Sequence, residues 1–131
     1  MRQITIIIND MNIHLRQQYL DKIERYLGKD FIIVLVGQRR VGKSYTLKMV
    51  RQLKEQNTNN NIIYIDKEKQ EFDHIKTYQD LNEHINSRYI KGKKNYILID
   101  GIQDMEQFER TVRSYCTEPD AEVIITGSNA K

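Results

Sequence analysis

The chain has 131 residues, 39% of them hydrophobic, and its formal net charge of +3 arises from 30% charged residues of both signs. This length suits one domain with one core and excludes a second full domain, and so mild a charge does not indicate nucleic acid or an anionic membrane as a partner. Cys116, the single cysteine, excludes an internal disulfide, and the lack of a secretory signal or of an apolar run of roughly 18 residues predicts a cytoplasmic protein without a membrane span.

The first predicted helix precedes the most informative motif of the chain. Residues 1–9 contain a run of isoleucines that fits either a strand or a packed leading arm. Over residues 12–27 apolar side chains recur every three or four positions, which predicts an amphipathic helix with Asp10 or Asn12 as its cap and Gly28 as its stop. The predicted inward residues are Leu15, Tyr19, Leu20, Ile23, Tyr26 and Leu27.

The segment 31–44 reads FIIVLVGQRRVGKS and combines a buried strand with a phosphate-binding loop. Its Gly-x-x-x-x-Gly-Lys-Ser pattern is a P-loop, in which glycines let the backbone approach phosphate oxygens and successive N–H groups line an anion site. Lys43 is predicted to reach the β and γ phosphates, and the Ser44 hydroxyl to ligate Mg²⁺. Arg39 and Arg40 either contact phosphate or a partner, or face solvent. The residues predicted here to bind ATP are Gly37, Gln38, Arg39, Arg40, Val41, Gly42, Lys43, Ser44 and Tyr45.

Helices and strands alternate through the rest of the chain. A helix over 45–56, with Leu47, Val50 and Leu53 at helical spacing, leads through a polar turn to a strand over 62–66 and a charged loop over 67–73. A helix over 78–90, with Leu81, Ile85, Tyr89 and Ile90 inward, is followed by a strand over 95–100. Met105, Phe108, Val112 and Tyr115 mark the next helix, which should also contain Cys116 as a packing residue, and a strand over 122–126 follows.

This alternation predicts an α/β fold, in which right-handed crossovers place helices on both faces of a buried parallel sheet. Ligands of such sheets bind beyond the carboxyl ends of the strands. The P-loop, Asp100 and Ser128 all follow strand ends, so we expect them at one edge of the sheet. If the strand over 122–126 lies between the P-loop strand and the Asp100 strand, Ser128 and Asn129 would contact the γ phosphate or a water; otherwise they form a turn and helix cap.

Asp100 is the predicted carboxylate of a Mg²⁺ site, because it directly follows the hydrophobic or aromatic residues 96–99 as a Walker B aspartate does. The predicted metal ligands are therefore Ser44 and Asp100, and the predicted catalytic residues are Lys43 and Asp100. Many P-loop ATPases carry a glutamate at the next position, where this chain has Gly101. A glycine accepts no proton, so general-base assistance of about 10²- to 10⁴-fold is missing at that position.

Other polar residues are candidates for replacing this glutamate. They are Gln103, Asp104 and Glu106, and with less weight Glu68 and Glu71. Nothing in their spacing selects one of them. If Gly101 limits hydrolysis, Gly101→Glu should raise ATP turnover and leave nucleotide affinity nearly unchanged.

The motifs together resemble the prokaryotic AAA-type ATPases of the AAA+ superfamily. The resemblance rests on GQRRVGKS, YILIDGIQDM and IITGSNA, in this order along the chain. It implies a P-loop NTPase three-layer sandwich with strand order 5-1-4-3-2, counted from the P-loop strand, and with the fifth strand missing or replaced. It further implies one ATPase core over 1–131, with an N-terminal helix at 12–27, Walker A at 37–44, Walker B at 96–100 and a sensor region at 126–129, where Ser128 or Asn129 is the sensing side chain.

The sequence departs from this family at Gly101, where the catalytic glutamate is expected, and at its end, which comes before the helical lid and the C-terminal domain. The resemblance therefore implies an N-terminal fragment that binds ATP and Mg²⁺ and is coupled to a protein partner or to the missing C-terminal domain. The alternative is a non-hydrolysing, nucleotide-responsive interaction module, which Gly101 favours. Whether the chain is an ATPase enzyme, and whether the full-length protein is an oligomer, stays open, and nucleic acid is not an expected partner.

Overall fold

The computed structural model describes residues 2–8, 13–37, 42–102, 105 and 107–128, which form a parallel sheet with helices on both faces. The strands are β1 Arg2–Ile7, β2 Phe31–Gly37, β3 Asn60–Asp66, β4 Lys94–Asp100 and β5 Ala121–Ser128. The helices are α1 Ile13–Tyr26, α2 Lys43–Glu55, α3 Tyr78–Arg88 and α4 Phe108–Cys116, and a short 3-10 turn covers Gln70–Phe72, where a loop was predicted. This architecture confirms the predicted α/β class.

The strand order is β1-β2-β5-β4-β3, and all neighbouring strands are parallel. As predicted, β5 lies between the P-loop strand β2 and the strand β4 that ends in Asp100. The edge position expected for a fifth strand is occupied by β1, which pairs with β2 from Arg2↔Phe31 to Ile7↔Val36. The N-terminal isoleucine run is thus a strand of the sheet, because its alternate side chains bury on the sheet face while its backbone extends the ladder.

Two hydrophobic layers lie on opposite faces of the sheet, since successive side chains of a strand point to opposite sides. One layer joins α1 and α2 to the sheet, and its buried residues include Leu20, Ile23, Ile33, Leu35, Leu47, Val50, Leu98 and Ile124. The other joins α3 and α4 to the sheet and includes Leu81, Ile85, Ile97, Ile99, Val112, Cys116, Val123 and Ile125. Cys116 is thus a packing residue of α4, as predicted.

Helix α1 follows the predicted pattern closely. Tyr19, Leu20 and Ile23 are buried, and Gly28 adopts φ 78°, the left-handed conformation usual just after a helix. The cap candidates Asp10 and Asn12 fall outside the described residues. No helix within the described ranges combines the length and the apolar composition needed to cross a membrane.

Three apolar residues of the predicted helical patterns are exposed or lie outside their helix. Leu53 on α2 is 45% exposed, because the sheet is covered by the first turns of this helix and Leu53 lies near its end. Ile90 is 42% exposed, because α3 ends at Arg88 and extended backbone at Tyr89 leads the chain away from the core. Met105 is buried but precedes α4, which begins at Phe108.

The start of β4 is fixed by the fully buried amide of Asn95. Its Oδ1 accepts hydrogen bonds from Ile90 N at 2.9 Å and from Asn61 Nδ2 at 2.7 Å. Its Nδ2 donates to Ile90 O at 2.8 Å and to Lys93 O at 2.9 Å. Every polar atom of this side chain is therefore paired, and together these bonds hold the turn before β4 against β3.

We expect Asn95→Ala to lower the free energy of unfolding by about 1–3 kcal/mol, because it leaves partly buried backbone groups of the turn without their partners. Urea unfolding followed by circular dichroism measures this change. Asn59 is an exposed asparagine in the turn before β3. Asn59→Ala should change the free energy of unfolding by less than about 0.5 kcal/mol. Equal losses in the two variants would contradict the role assigned to Asn95.

Candidate functional site

The P-loop strand and the helix after it stand in the predicted order. Strand β2 ends at Gly37 and α2 begins at Lys43. Gly42, just before the helix, has φ 96°, a left-handed conformation that favours glycine. Both the backbone N–H and the hydroxyl of Thr46 donate to the carbonyl oxygen of Gly42, each at 2.8 Å, which closes the first helical turn. The predicted phosphate-binding residues Gln38, Arg39, Arg40 and Val41 lie outside the described residues.

Lys43 brings a positive charge to the carboxyl edge of the sheet. Its Nζ donates to Gly37 O at 2.7 Å and to Gly127 O at 3.1 Å. The ammonium group therefore lies over the ends of β2 and β5, which are neighbours in the sheet. Ser44 and Tyr45 are exposed beside it, and the Tyr45 ring contacts the Arg16 guanidinium, whose carbon lies 4.8 Å from the ring centroid.

Asp100 is buried at the end of β4, with 8% of its surface exposed. The hydroxyl of Thr126 donates to Asp100 Oδ1 at 2.6 Å and accepts a hydrogen bond from the backbone N–H of Gly101 at 2.9 Å. This hydroxyl joins β5 to β4 and orients the carboxylate. The sequence placed Thr126 in a sensor region but named Ser128 or Asn129 as the sensing residue; Asn129 and the Ser128 side chain fall outside the described structure. The useful signal was a hydroxyl at the end of the strand that neighbours Asp100.

Asp66 is a second buried acid at this edge, and sequence reasoning did not identify it. It ends β3 in direct register with Asp100 on β4, and only 7% of its surface is exposed. Its Oδ1 accepts the backbone N–H of Glu68 at 3.0 Å. By contrast, the side chains of Glu68 and Glu71, which the sequence offered as replacements for the glutamate, are exposed. The available signal was that Asp66 closes its strand as Asp100 closes the next one.

The pKa of Tyr64 is influenced by both acids. Burial, together with the negative charges of Asp100 and Asp66, raises the pKa of Tyr64 to about 12. The guanidinium carbon of Arg51 lies 4.7 Å from the centroid of the Tyr64 ring and opposes this shift. The Tyr64 hydroxyl is buried and has no hydrogen-bond partner among the described residues. At neutral pH it is therefore a protonated donor group in the field of two carboxylates.

Gly101 directly follows Asp100 and forms part of the lining of a cleft. Its φ is 79°, and a Cβ added there would lie 3.6 Å from the Cβ of Lys67. The cleft has a volume of about 460 Å³ and is lined by Lys67, Asp73, Ile75, Lys76, Gly101 and Met105. Lys67 Nζ donates to Phe72 O at 3.2 Å and also to Ile75 O, which holds one wall in place. The substitute candidates Gln103, Asp104 and Glu106 fall outside the described residues.

The structure brings Gly37, Gly42, Lys43 and Asp100 to one edge, where β2, β5 and β4 end together. Ser128 pairs there with Gly37 in the β2–β5 register. Within the described ranges, no group of three or more His, Cys, Asp or Glu side chains is placed to hold a metal ion. A divalent cation at this edge would therefore need oxygen ligands beyond the protein carboxylates.

The fold and the strand–loop–helix edge define a P-loop NTPase-like α/β protein. A family model described as an AAA domain matches residues 29–131, so the chain belongs to the AAA domain family. An uncharacterized protein of Haemophilus influenzae (strain ATCC 51907 / DSM 11121 / KW20 / Rd) is 34% identical over 118 residues, which cover 88% of this chain and 30% of that protein. The chain thus spans less than a third of this relative. No solved structure matches the present chain significantly.

Thr126→Val should lower the free energy of unfolding by about 1–3 kcal/mol, because it removes the donor to Asp100 and leaves the Gly101 N–H without its acceptor. Valine keeps the branched shape, so the loss reports the hydroxyl. Thr126→Ser retains the hydroxyl and is the matched control. Chemical denaturation of both variants measures the difference, and a serine variant as unstable as the valine variant would contradict the bridging role.

Gly101→Ala should destabilise the fold by about 1–2 kcal/mol, the cost of a left-handed residue with a Cβ. Gly127→Ala is the control, since Gly127 does not have a left-handed φ and an added Cβ has no atom within 4 Å. Thermal unfolding of the two variants separates strain from a general effect of alanine. Gly101→Glu carries the same strain, so its ATP turnover should be compared with that of Gly101→Ala.

Proposed function

We propose that the chain is an ATP-binding AAA-type domain, which binds ATP with Mg²⁺ at the carboxyl edge of its sheet. The observation that carries this proposal is the position of Lys43. Its Nζ donates to the carbonyl oxygens of Gly37 and Gly127, at the ends of β2 and β5, and the buried Asp100 ends the neighbouring strand β4. A cation beside a glycine-bounded loop and a helix N-terminus favours a polyphosphate, and a buried carboxylate nearby favours its divalent counterion.

Backbone and side-chain groups of the loop have different proposed roles in nucleotide binding. Backbone N–H groups of residues 37–44 and the amino end of α2 surround the phosphates, and Lys43 neutralises their charge. Gln38, Arg39, Arg40, Val41, Tyr45 and Ser128 complete the proposed nucleotide contacts.

The proposed Mg²⁺ ligands are the Ser44 hydroxyl and Asp100, directly or through water, together with phosphate oxygens. The donor set fits this ion, because hydroxyl and carboxylate oxygens are the hard ligands that Mg²⁺ prefers. Thr126 orients the carboxylate through Oδ1. When bound, the ion would neutralise charge on the transferred phosphoryl group.

The chain spans 30% of the length of the Haemophilus influenzae relative, so the action of a whole protein is a further proposal. We propose that residues 1–131 act as the ATPase core, with Walker A at 37–44, Walker B at 96–100 and a sensor region at 126–129. Nucleotide state would then be transmitted to a protein partner or to another domain.

The second candidate is a nucleotide-responsive binding module without turnover. Gly101 favours it, because this position follows Asp100 and offers no proton acceptor for the attacking water. In that case ATP would order the surface for a protein partner, and the bound ATP would not be hydrolysed.

A calorimetric titration with ATP, in the presence and absence of Mg²⁺, tests the shared core of both candidates. Phosphate release measured in the same samples separates them. Binding with release supports the ATPase, and binding without release supports the non-hydrolysing module. Lack of heat at millimolar ATP and Mg²⁺ would overturn both.

Lys43→Ala should weaken ATP binding about ten- to a hundredfold, because a charge-assisted hydrogen bond contributes roughly 1.5–3 kcal/mol. Isothermal titration measures the affinity. Lys48→Ala removes the same charge from an exposed position of the same helix and should leave the affinity nearly unchanged. Full affinity in the Lys43 variant would contradict the proposed phosphate site.

A further inference from the structure

Three carboxylates are buried within the described residues, those of Asp66, Asp100 and Glu122. Glu122 lies near the amino end of β5, away from the site, and is paired with Lys94 Nζ at 2.9 Å and Gly28 N at 2.9 Å. Asp100 is bound by Thr126. For Asp66 the described residues supply one side-chain hydrogen bond, from the N–H of Glu68 to Oδ1. Of the two buried acids at the carboxyl edge, Asp66 is the one to which the proposed binding of nucleotide and Mg²⁺ assigns no role.

Asp66 and Asp100 share one face of the sheet. Tyr64 packs with the α1–α2 layer, as does Leu98 on β4, and these two residues are in register. Two residues further along each strand the side chains return to the same face, which puts Asp66 and Asp100 there together. Neighbouring strands are about 4.8 Å apart, so Asp66 lies one strand beyond the proposed Mg²⁺ ligand.

Tyr64 precedes Asp66 by two residues on the same face of β3. Its hydroxyl is influenced by the charges of both carboxylates, which raise its pKa beyond the effect of burial. This direction follows from the register, which puts both acids at the strand ends next to Tyr64. The ends of β3 and β4 therefore place two buried acids in register on this face.

We propose that Asp66 supplies the carboxylate that orients the attacking water and accepts its proton, the role left open by Gly101. This inference rests on the proposed function and extends it from nucleotide binding to hydrolysis. The other acids near β3, Glu68 and Glu71, are exposed, so their carboxylates are open to bulk water. Asp66 combines burial with a position next to Asp100.

The reaction consumes one water for each ATP. The water oxygen forms a bond to the γ phosphorus, and the bond from that phosphorus to the β–γ bridging oxygen breaks, with its electron pair leaving on ADP. One proton of the water passes to Asp66, which later returns it to solvent. Phosphate and ADP are the products, and no oxidant or second substrate is needed.

Asp66→Asn tests the proposal with little structural change. Asparagine has the same shape, and its side-chain oxygen accepts the Glu68 N–H as the aspartate does. It lacks a site for the proton, so turnover should fall by about 10²- to 10⁴-fold. ATP affinity, measured by calorimetry, should stay within about threefold, since the phosphate and Mg²⁺ ligands are retained. The thermal melting curve checks that the variant is folded.

Glu68→Gln is the matched control. It removes one negative charge from an exposed side chain that lies two residues after Asp66. Its turnover and affinity should equal those of the unchanged chain. ADP with aluminium fluoride, a mimic of the transferring phosphoryl group with its water, supplies a readout besides turnover. Asp66→Asn should weaken binding of this mimic and leave ADP binding unchanged.

Two results would overturn the role of Asp66 while leaving nucleotide binding intact. One is equal turnover in Asp66→Asn and the unchanged chain. The other is turnover in the unchanged chain no higher than in Lys43→Ala, despite normal ATP affinity. A third outcome is that the unchanged chain does not bind ATP. This result would overturn the proposed function and, with it, the role of Asp66.

Discussion

Because β5 pairs in parallel with β2 on one side and with β4 on the other, segments far apart in the chain end at the same edge of the sheet. The carbonyl of Gly127, at the end of β5, accepts a hydrogen bond from Lys43, and Thr126 beside it donates to Asp100. The last residues of β5 thus connect the cation after β2 to the acid at the end of β4. A shift of register by one residue would reverse the face of each side chain and separate these groups.

The edge tolerates buried charge because polar partners are built into the backbone and the neighbouring strands. An isolated buried carboxylate is strongly disfavoured, whereas one that accepts hydrogen bonds is retained. Asp100 has the Thr126 hydroxyl, and Asp66 has the N–H of Glu68. Lys43 is held by carbonyl oxygens of two strands. The orientation of all three charged groups is thus fixed by hydrogen bonds within the protein.

Gly101 shows how backbone conformation limits what a substitution can achieve. From the sequence it is simply a position without a proton acceptor. In the structure it adopts φ 79°, donates its N–H to Thr126 and faces Lys67. A glutamate placed there carries both backbone strain and a new position for its side chain. For this reason an acid already buried on β3 is the more direct candidate for the missing function.

Local patterns made the individual elements predictable. The apolar run before the P-loop, the period of α1 and the glycine after it, and the acid closing β4 each depend on neighbours in sequence, and each was placed within a few residues. The predicted central order, with β5 between β2 and β4, came from the family resemblance and agrees with the structure. Helix ends were harder, as Leu53 and Ile90 show, because exposure near an end depends on how far the sheet extends beneath the helix.

The sequence by itself determined the α/β class, the strand–loop–helix around Lys43 and the acid Asp100, since these follow from short-range hydrophobic pattern and motif spacing. Only the tertiary structure decided that residues 2–7 form the edge strand, that Thr126 binds Asp100, and that Asp66 lies beside it. These facts depend on which strands are neighbours and in what register. Pairing of this kind joins residues tens of positions apart, and no local pattern along the chain records it.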